Sequence, residues 1–164
     1  MNRTQPIRTA LLLLITAVTL VACSSNDVKP PANELTRIDL EASADSNRNV
    51  ATALDLVFIN DDQVATLLAE LNGPQWFERK TELTMRYASA ITVVSFEVVP
   101  LTLSNNVALP TDHSDAKRIL LFANYLGSQG QYVSELSQFH HLKIRLLRDR
   151  YALIDVATVA REQD

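Results

Sequence analysis

The chain has 164 residues, of which 47% are hydrophobic and 21% are charged, and its formal net charge is −4. This length suits one ordinary domain with a sizeable hydrophobic core. An acidic balance disfavours nucleic acid and anionic lipid surfaces as partners, since both attract clustered basic residues. With only three glycines, the chain also cannot build the glycine-rich phosphate loops of nucleotide-binding folds.

The first 23 residues have the three parts of a bacterial export signal. Arg3 and Arg8 precede an uncharged apolar run, residues 10–22, which ends at the only cysteine, Cys23. The run is short for a membrane span, which needs about 20 apolar residues, and it matches a signal peptide. Its last residues, Leu20-Val21-Ala22-Cys23, resemble a lipobox, in which the cysteine becomes lipid-modified. The alternative is an ordinary secretory peptide followed by a chance cysteine.

We therefore predict a lipid-anchored protein. Residues 1–22 are the signal peptide, Cys23 carries the lipid, and residues 23–34, which include Pro30-Pro31, form a tether. Ser24 follows the cysteine, where aspartate would favour retention in the inner membrane, so we expect the periplasmic face of the outer membrane. Several acyl chains, at about 0.8 kcal/mol per buried methylene, make such an anchor permanent. Because the only cysteine is committed to lipid, no disulfide staples the fold.

The folded domain, residues 35–164, begins with two strands around a polar segment. Leu35–Ala44 alternates apolar and charged residues, which is typical of a strand with one solvated face. Ala53–Ile59 is apolar and β-prone, as expected of a central strand. Between them, Ser43–Asn49 is polar apart from one alanine, so we predict a protruding loop that buries nothing.

Two helices are predicted next. Asp61 and Asp62 supply an N-cap for a helix over Asp62–Asn72, and Gly73-Pro74 ends it. Pro74 then begins a second amphipathic helix that carries the only tryptophan, Trp76. An aromatic pair such as Trp76-Phe77 can anchor a partner, but at helical spacing it more often belongs to the core.

The remaining chain is mainly β. A long connection with one helical turn is predicted over Leu126–Phe139, and a tight hairpin around Arg148-Asp149 joins the last two strands. The predicted strands are Ile91–Val99, Lys117–Leu126, His140–Leu147 and Tyr151–Ala157. The fold class is therefore α+β, mainly β: a small antiparallel β-sandwich with an inserted helical pair. Phe58 and Val94 are predicted core residues.

The side chains that could carry chemistry favour structural roles. His140 and His141 are adjacent in a strand and point to opposite faces, so they cannot bind one metal ion together. His113 lies in a polar connection, and Ser95 and Ser137 lack the context of a nucleophile elbow. We predict no catalytic residue, no metal, no cofactor and no small-molecule substrate, so the protein is not an enzyme.

Arginines also cluster in the last hairpin, at Arg145, Arg148 and Arg150. Most such clusters form a solvated strand face. A docking role for these three residues is the alternative.

The order of these features resembles a known family. A lipobox, a short tether, an alternating strand, a polar loop, the segment Leu54–Ile59 and a helical pair around Trp76-Phe77 are similar to the outer-membrane lipoproteins of the type VI secretion system, the TssJ-like family. The resemblance implies a transthyretin-like β-sandwich in the periplasm. It also implies that the loop between the first two strands contacts the periplasmic domain of an inner-membrane secretion subunit. In this chain that loop supplies Asp45, Ser46, Asn47, Arg48 and Asn49.

Two functions follow as hypotheses. The first is a lipid-anchored assembly component of a type VI secretion membrane complex, linking the outer membrane to an inner-membrane partner. The alternative is a pilotin-like chaperone that escorts a secretin or another outer-membrane subunit. Because the loop is polar, we expect changes at Asp45, Asn47 and Arg48 to alter stability by less than about 0.5 kcal/mol, with Arg48 the strongest candidate for a contact.

Overall fold

The computed structural model describes residues 31–156, which contain eight strands and two helices. The strands are β1 Arg37–Ala42, β2 Thr52–Ile59, β3 Ile91–Val98, β4 Leu103–Ser104, β5 Arg118–Ala123, β6 Ser134–Glu135, β7 His141–Leu146 and β8 Tyr151–Asp155. The helices are α1 Asp62–Ala69 and α2 Gly73–Arg86, both between β2 and β3. The predicted signal peptide, Cys23 and most of the tether lie outside the described residues, as does Ala157.

The strands form two four-stranded sheets whose apolar faces enclose the main core. One sheet has the order β4-β1-β7-β8 and the other has the order β3-β2-β5-β6. The mainly β sandwich with an inserted helical pair is thus confirmed. One strand pair departs from the predicted antiparallel arrangement, because β1 and β7 run parallel. A parallel pair needs a long crossover, and nearly a hundred residues separate these two strands. No local sequence pattern therefore indicates that they pair.

The period of each strand explains which faces are buried. In β1 the alternation places Ile38 and Leu40 in the core, both at most 5% exposed. β2 is buried at nearly every position because both of its faces are covered, and it is apolar except at Thr52 and Asp55. Leu54, Leu56 and Phe58 face the other sheet; their side chains belong to the main core. Phe58 is 3% exposed, which confirms it as a core residue, whereas Val94 is partly buried and packs against the same cluster. The remaining members of this cluster include Leu121, Tyr125, Leu142, Ile144, Leu146 and Tyr151.

The two helices cover the outer face of the second sheet. Trp76 is fully buried there, and its ring stacks on Phe122 with 4.9 Å between the ring centroids. Its indole N–H donates to Asp55 Oδ2 at 2.7 Å, and Lys80 Nζ lies 3.1 Å from Asp55 Oδ1. A buried carboxylate needs such partners because burial without them is costly. The core assignment of Trp76 is confirmed.

Side-chain caps set the helix boundaries. Asp61 accepts hydrogen bonds from the N–H groups of Gln63 and Val64, which confirms it as the cap of α1. Asn72 was predicted to end that helix, but its side chain caps α2 instead by accepting from Gln75 N–H, and the Gln75 side chain bonds back to Asn72 N–H. Because Asn72 caps the start of α2, it cannot also belong to α1. The first helix accordingly ends earlier than predicted, at Ala69.

The connection between β5 and β7 is more ordered than predicted. It contains a single 3₁₀ turn, Ser128–Gly130, and the short strand β6, which pairs with Leu120 and Leu121 of β5. Two residues leave no readable alternation, so the sequence did not indicate this strand. Within residues 31–156, no helix combines the length and the hydrophobicity that crossing a bilayer requires.

Candidate partner-binding site

The sandwich has two distinct ends. At one end, here called the N-terminal end, Ala32 N–H donates to Ser114 and Glu34 N–H donates to Ser137, so the described chain begins beside the segments that lead into β5 and β7. At the opposite end, here called the loop end, four connections meet: residues 43–51, 99–102, 124–133 and 147–150. The predicted contact loop, residues 45–49, belongs to the loop end.

The contact loop is a tight, ordered turn. Ser46–Asn49 is a 3₁₀ turn, and three consecutive residues have positive φ: Asn47 (46°), Arg48 (58°) and Asn49 (67°). Asparagine tolerates this left-handed region, whereas arginine is strained there. The turn is held by hydrogen bonds from Ser46 N–H to Ser43, from Arg48 N–H to Asp45 and from Val50 N–H to Asn47. Its backbone is therefore presented in one defined shape.

Part of this loop is buried, so the prediction that it buries nothing is wrong, and the expectation that changes at Asn47 are nearly neutral for stability no longer holds. Ser46 is 0% exposed and Asn47 is 2% exposed. Asn47 Oδ1 accepts from Leu126 N–H at 2.9 Å, its Nδ2 donates to Ala51 at 3.3 Å, and its own N–H donates to Leu147 at 3.1 Å. Asn47 thus joins three of the four connections, which a count of polar residues could not reveal. Asp45, Arg48 and Asn49 are exposed, as expected.

Charged side chains of two connections meet at the loop end. Arg48 Nε lies 2.8 Å from Asp149 Oδ1, and Arg148 Nη1 lies 4.0 Å from Asp45 Oδ2. All four side chains are at least about one-third exposed, so these pairs contribute little stability. Their charges remain available to a partner.

The arginine cluster predicted as an alternative site is divided by the fold. Arg148 and Arg150 flank the β7–β8 turn at the loop end, beside the contact loop. Arg145 lies within β7 and pairs with Glu41 Oε1 of β1 at 2.9 Å. Two of the three arginines therefore extend the predicted contact loop. Below them, the Tyr125 hydroxyl donates to the carbonyls of Leu147 and Arg150, and burial raises its pKa.

Exposed hydrophobic side chains are concentrated at the same end. Within residues 31–156, eight large hydrophobic side chains are exposed, and six of them belong to or border connections of the loop end. These six are Val50 (46%), Val99 (54%), Leu101 (76%), Leu103 (69%), Leu126 (60%) and Tyr132 (42%). Thr52 pairs with Val98, so Val50 and Val99 lie beyond the same end of the β2–β3 ladder. Such a concentration is typical of an interaction surface.

Sequence reasoning missed this apolar part of the site. A usable signal was present: Val99 directly precedes Pro100, and Leu101 and Leu103 stand between that proline and the polar Ser104-Asn105-Asn106. Leu101 also has positive φ (67°), which is rare for a residue of this type. Hydrophobic residues in a connection have no core to enter, so their exposure could have been inferred.

The other candidate side chains have structural partners. His141 Nε2 lies 2.9 Å from Asp39 Oδ2, the His140 ring contacts Thr36 Oγ1, and His113 Nδ1 contacts Pro110 O. Burial of Asp39 raises its pKa, but hydrogen bonds from Asn106 N–H, His141 and Arg37 outweigh this and lower the pKa to about 2. No group of three histidine, cysteine, aspartate or glutamate residues within residues 31–156 is arranged to hold a metal ion.

Comparison with known proteins adds the fold family. No protein-family model and no curated protein matches the sequence. Among solved structures, the chain is similar to the type VI secretion lipoprotein TssJ1 of Pseudomonas aeruginosa, with 15% identity, 76% of this chain and 96% of that chain covered, and a TM-score of 0.56. Lip of Serratia marcescens, a membrane-bound component of the type VI secretion system, shows 9% identity, 74% and 96% coverage, and a TM-score of 0.53.

A chain of a type VI membrane complex is also similar, with 14% identity, 72% and 95% coverage, and a TM-score of 0.55. Identities this low carry information about the fold alone. The chain therefore has the β-sandwich fold of type VI secretion lipoproteins, which confirms at the level of the fold the resemblance seen in the sequence.

Proposed function

We propose that this protein is a lipid-anchored assembly component of a type VI secretion membrane complex, and that its loop end docks the periplasmic domain of an inner-membrane subunit. The observation that carries the proposal is the placement of the two ends. The described chain begins at the N-terminal end, whereas the contact loop, two arginines and six exposed hydrophobic side chains lie at the loop end.

The length of the strands separates these two ends. β2 has eight residues, which span about 26 Å at roughly 3.3 Å per residue. A chain tethered through its N-terminal end to the outer membrane presents its loop end toward the inner membrane. The lipobox and the fold shared with type VI secretion lipoproteins support this arrangement.

The chemistry of the loop end defines the partner surface that it fits. Exposed leucine and valine side chains form the apolar part, and the charged margin beside them holds three arginines, Arg48, Arg148 and Arg150, against two aspartates, Asp45 and Asp149. Interfaces of this kind combine a desolvated apolar centre with a charged rim. The partner surface should therefore be apolar with acidic residues at its edge, and arginine pairs well with carboxylates.

Co-purification from solubilised membranes tests the proposal. Leu101→Asp places a charge in the apolar surface, and Met85→Asp is a matched control because both side chains are 76% exposed, while Met85 lies near the end of α2. We expect the inner-membrane secretion subunit to co-purify with the wild type and with Met85→Asp, but not with Leu101→Asp. Equal recovery of the inner-membrane subunit with both variants would show that the loop end is not part of the interface.

A further inference from the structure

One sheet edge of the sandwich is long and open. Each sheet has two edge strands, and two of the four, β4 and β6, have only two residues each. β3, by contrast, is an edge strand of eight residues, Ile91–Val98. It contains no proline, lysine or arginine, and Glu97 is its only charged residue, although proteins commonly use prolines and charges to block such edges. An unblocked edge of this length is a template for another strand.

The hydrogen-bond register shows which backbone groups of β3 are open. Asn60 N–H donates to Ala90 O just beyond the β2–β3 ladder, and antiparallel hydrogen-bonded pairs recur every second residue. Continuing this register through the paired residues, Thr92, Val94, Phe96 and Val98 bond to β2. The N–H and C=O groups of Val93, Ser95 and Glu97 therefore point away from the sheet.

A groove runs beside this edge and reaches the loop end. It encloses about 470 Å³ between β3 and the segment 102–108. Its apolar lining includes Leu40, Phe96, Val98 and Val107. The strand that borders it leads directly into Val99 and Leu101 of the loop end. The loop end, the groove and the open edge of β3 thus form one continuous surface that a single partner can contact.

We propose that the partner docked at the loop end inserts an extended segment that pairs with β3 as a fifth strand of that sheet. This inference rests on the proposed function and adds a second, backbone-mediated part to the same interface. Main-chain hydrogen bonds give affinity in such strand additions, and pockets for alternate side chains give specificity. The inserted segment carries apolar side chains toward Phe96 and the groove, and a basic side chain opposite Glu97, which is exposed and has no ion-pair partner within residues 31–156.

A second copy of this chain fits the edge less well. Two β3 strands could pair antiparallel about Ser95, because Val93 and Glu97 are equally spaced from it. That pairing turns one copy upside down, so the N-terminal ends of the two copies point in opposite directions. In two chains anchored in one membrane, this arrangement requires the tether of one copy to span the length of its domain, about 26 Å, whereas a separate partner segment faces no such restriction.

Residue-resolved amide hydrogen exchange by NMR tests the inference. The probe is the purified periplasmic domain of the inner-membrane subunit, added to the full-length protein in detergent. We expect exchange at the amides of Val93, Ser95 and Glu97 to slow by at least about tenfold, while Val94 and Phe96, already bonded to β2, change little. Protection of the loop end without this alternating pattern would overturn the inference and leave the proposed function standing. Slowing of the same three amides by protein concentration alone would mean a second copy and would also overturn it.

A pair of substitutions at Glu97 separates backbone pairing from side-chain contact. Glu97→Pro removes an N–H that points away from β2, and proline is tolerated on an edge strand, so the fold should survive. We expect Glu97→Pro to weaken binding of the domain by about tenfold or more, and Glu97→Ala, which keeps the N–H, by less than about fivefold. Thermal unfolding of both variants checks the fold. Equal affinities for the two variants would refute strand addition, and no binding by the wild type would refute the proposed function as well.

Discussion

Asn47 offers the sharpest test of how the loop end is held together. Replacing it with alanine deletes the acceptor for Leu126 N–H and the donor to Ala51 O, inside a site where Asn47 is 2% exposed. A buried donor left without an acceptor costs about 1–3 kcal/mol. Alanine at φ 46° adds roughly 1 kcal/mol because a Cβ without a polar group disfavours the left-handed region. The expected loss of unfolding free energy is about 2–4 kcal/mol.

The matched control is Asn49→Ala. Asn49 has φ 67° and is exposed, so this change carries the same backbone cost without the loss of buried hydrogen bonds. We expect it to destabilise by about 1 kcal/mol. Urea unfolding of the purified protein measures both variants. If the two midpoints fall by the same amount, the hydrogen bonds of Asn47 contribute nothing and the description of this loop as a structural joint is wrong.

Further outcomes follow from the same structure. Asp55→Ala should destabilise by about 3–5 kcal/mol because it leaves the Trp76 indole N–H and a lysine without their buried acceptor, and urea unfolding would show this. Phe58→Ala should cost roughly 3–5 kcal/mol, as expected for emptying a buried aromatic site, and an unchanged midpoint would contradict its place in the core. Asp39 has a pKa lowered from 3.8 to about 2, so its contribution of about 2 kcal/mol is present above pH 4 and lost as the pH falls through 2. In the Asp39→Asn variant, the unfolding free energy should therefore fall less steeply than in the wild type as the pH drops from about 4 to about 2. The same pH dependence in both proteins would contradict the lowered pKa of Asp39. Cys23→Ser should abolish palmitate labelling and membrane association, whereas retention in the membrane after a salt wash would rule out the lipid anchor.

The strands and helices were readable from the sequence wherever a local period exists. Alternation in β1, the apolar run of β2 and the capped helical pattern around Trp76 each depend on neighbours a few residues away. The parallel β1–β7 pair and the two-residue strand β6 were not readable, because both result from contacts between distant segments.

The candidate site was predictable only in part. The sequence placed residues 45–49 correctly in the connection between β1 and β2, and their contact role stays a prediction. The burial of Asn47 was not predictable, because it depends on Leu126 and Leu147, which are far away in the chain. The arginine cluster was treated as a separate alternative because sequence spacing cannot show that the β7–β8 turn lies beside the β1–β2 loop. The salt bridge between Arg48 and Asp149 shows that the β1–β2 loop and the β7–β8 turn form one surface, whereas Arg145 lies apart within β7.

The most direct test is to identify what the loop end touches in the cell envelope. A photoreactive amino acid placed at Leu101, and separately at Met85, can be activated in living cells that express the complete secretion system. We expect the inner-membrane secretion subunit to crosslink to position 101 and not to position 85, which is equally exposed. Crosslinks to that subunit from position 85 alone, or recovery of a secretin subunit from position 101, would contradict the proposed docking of the loop end.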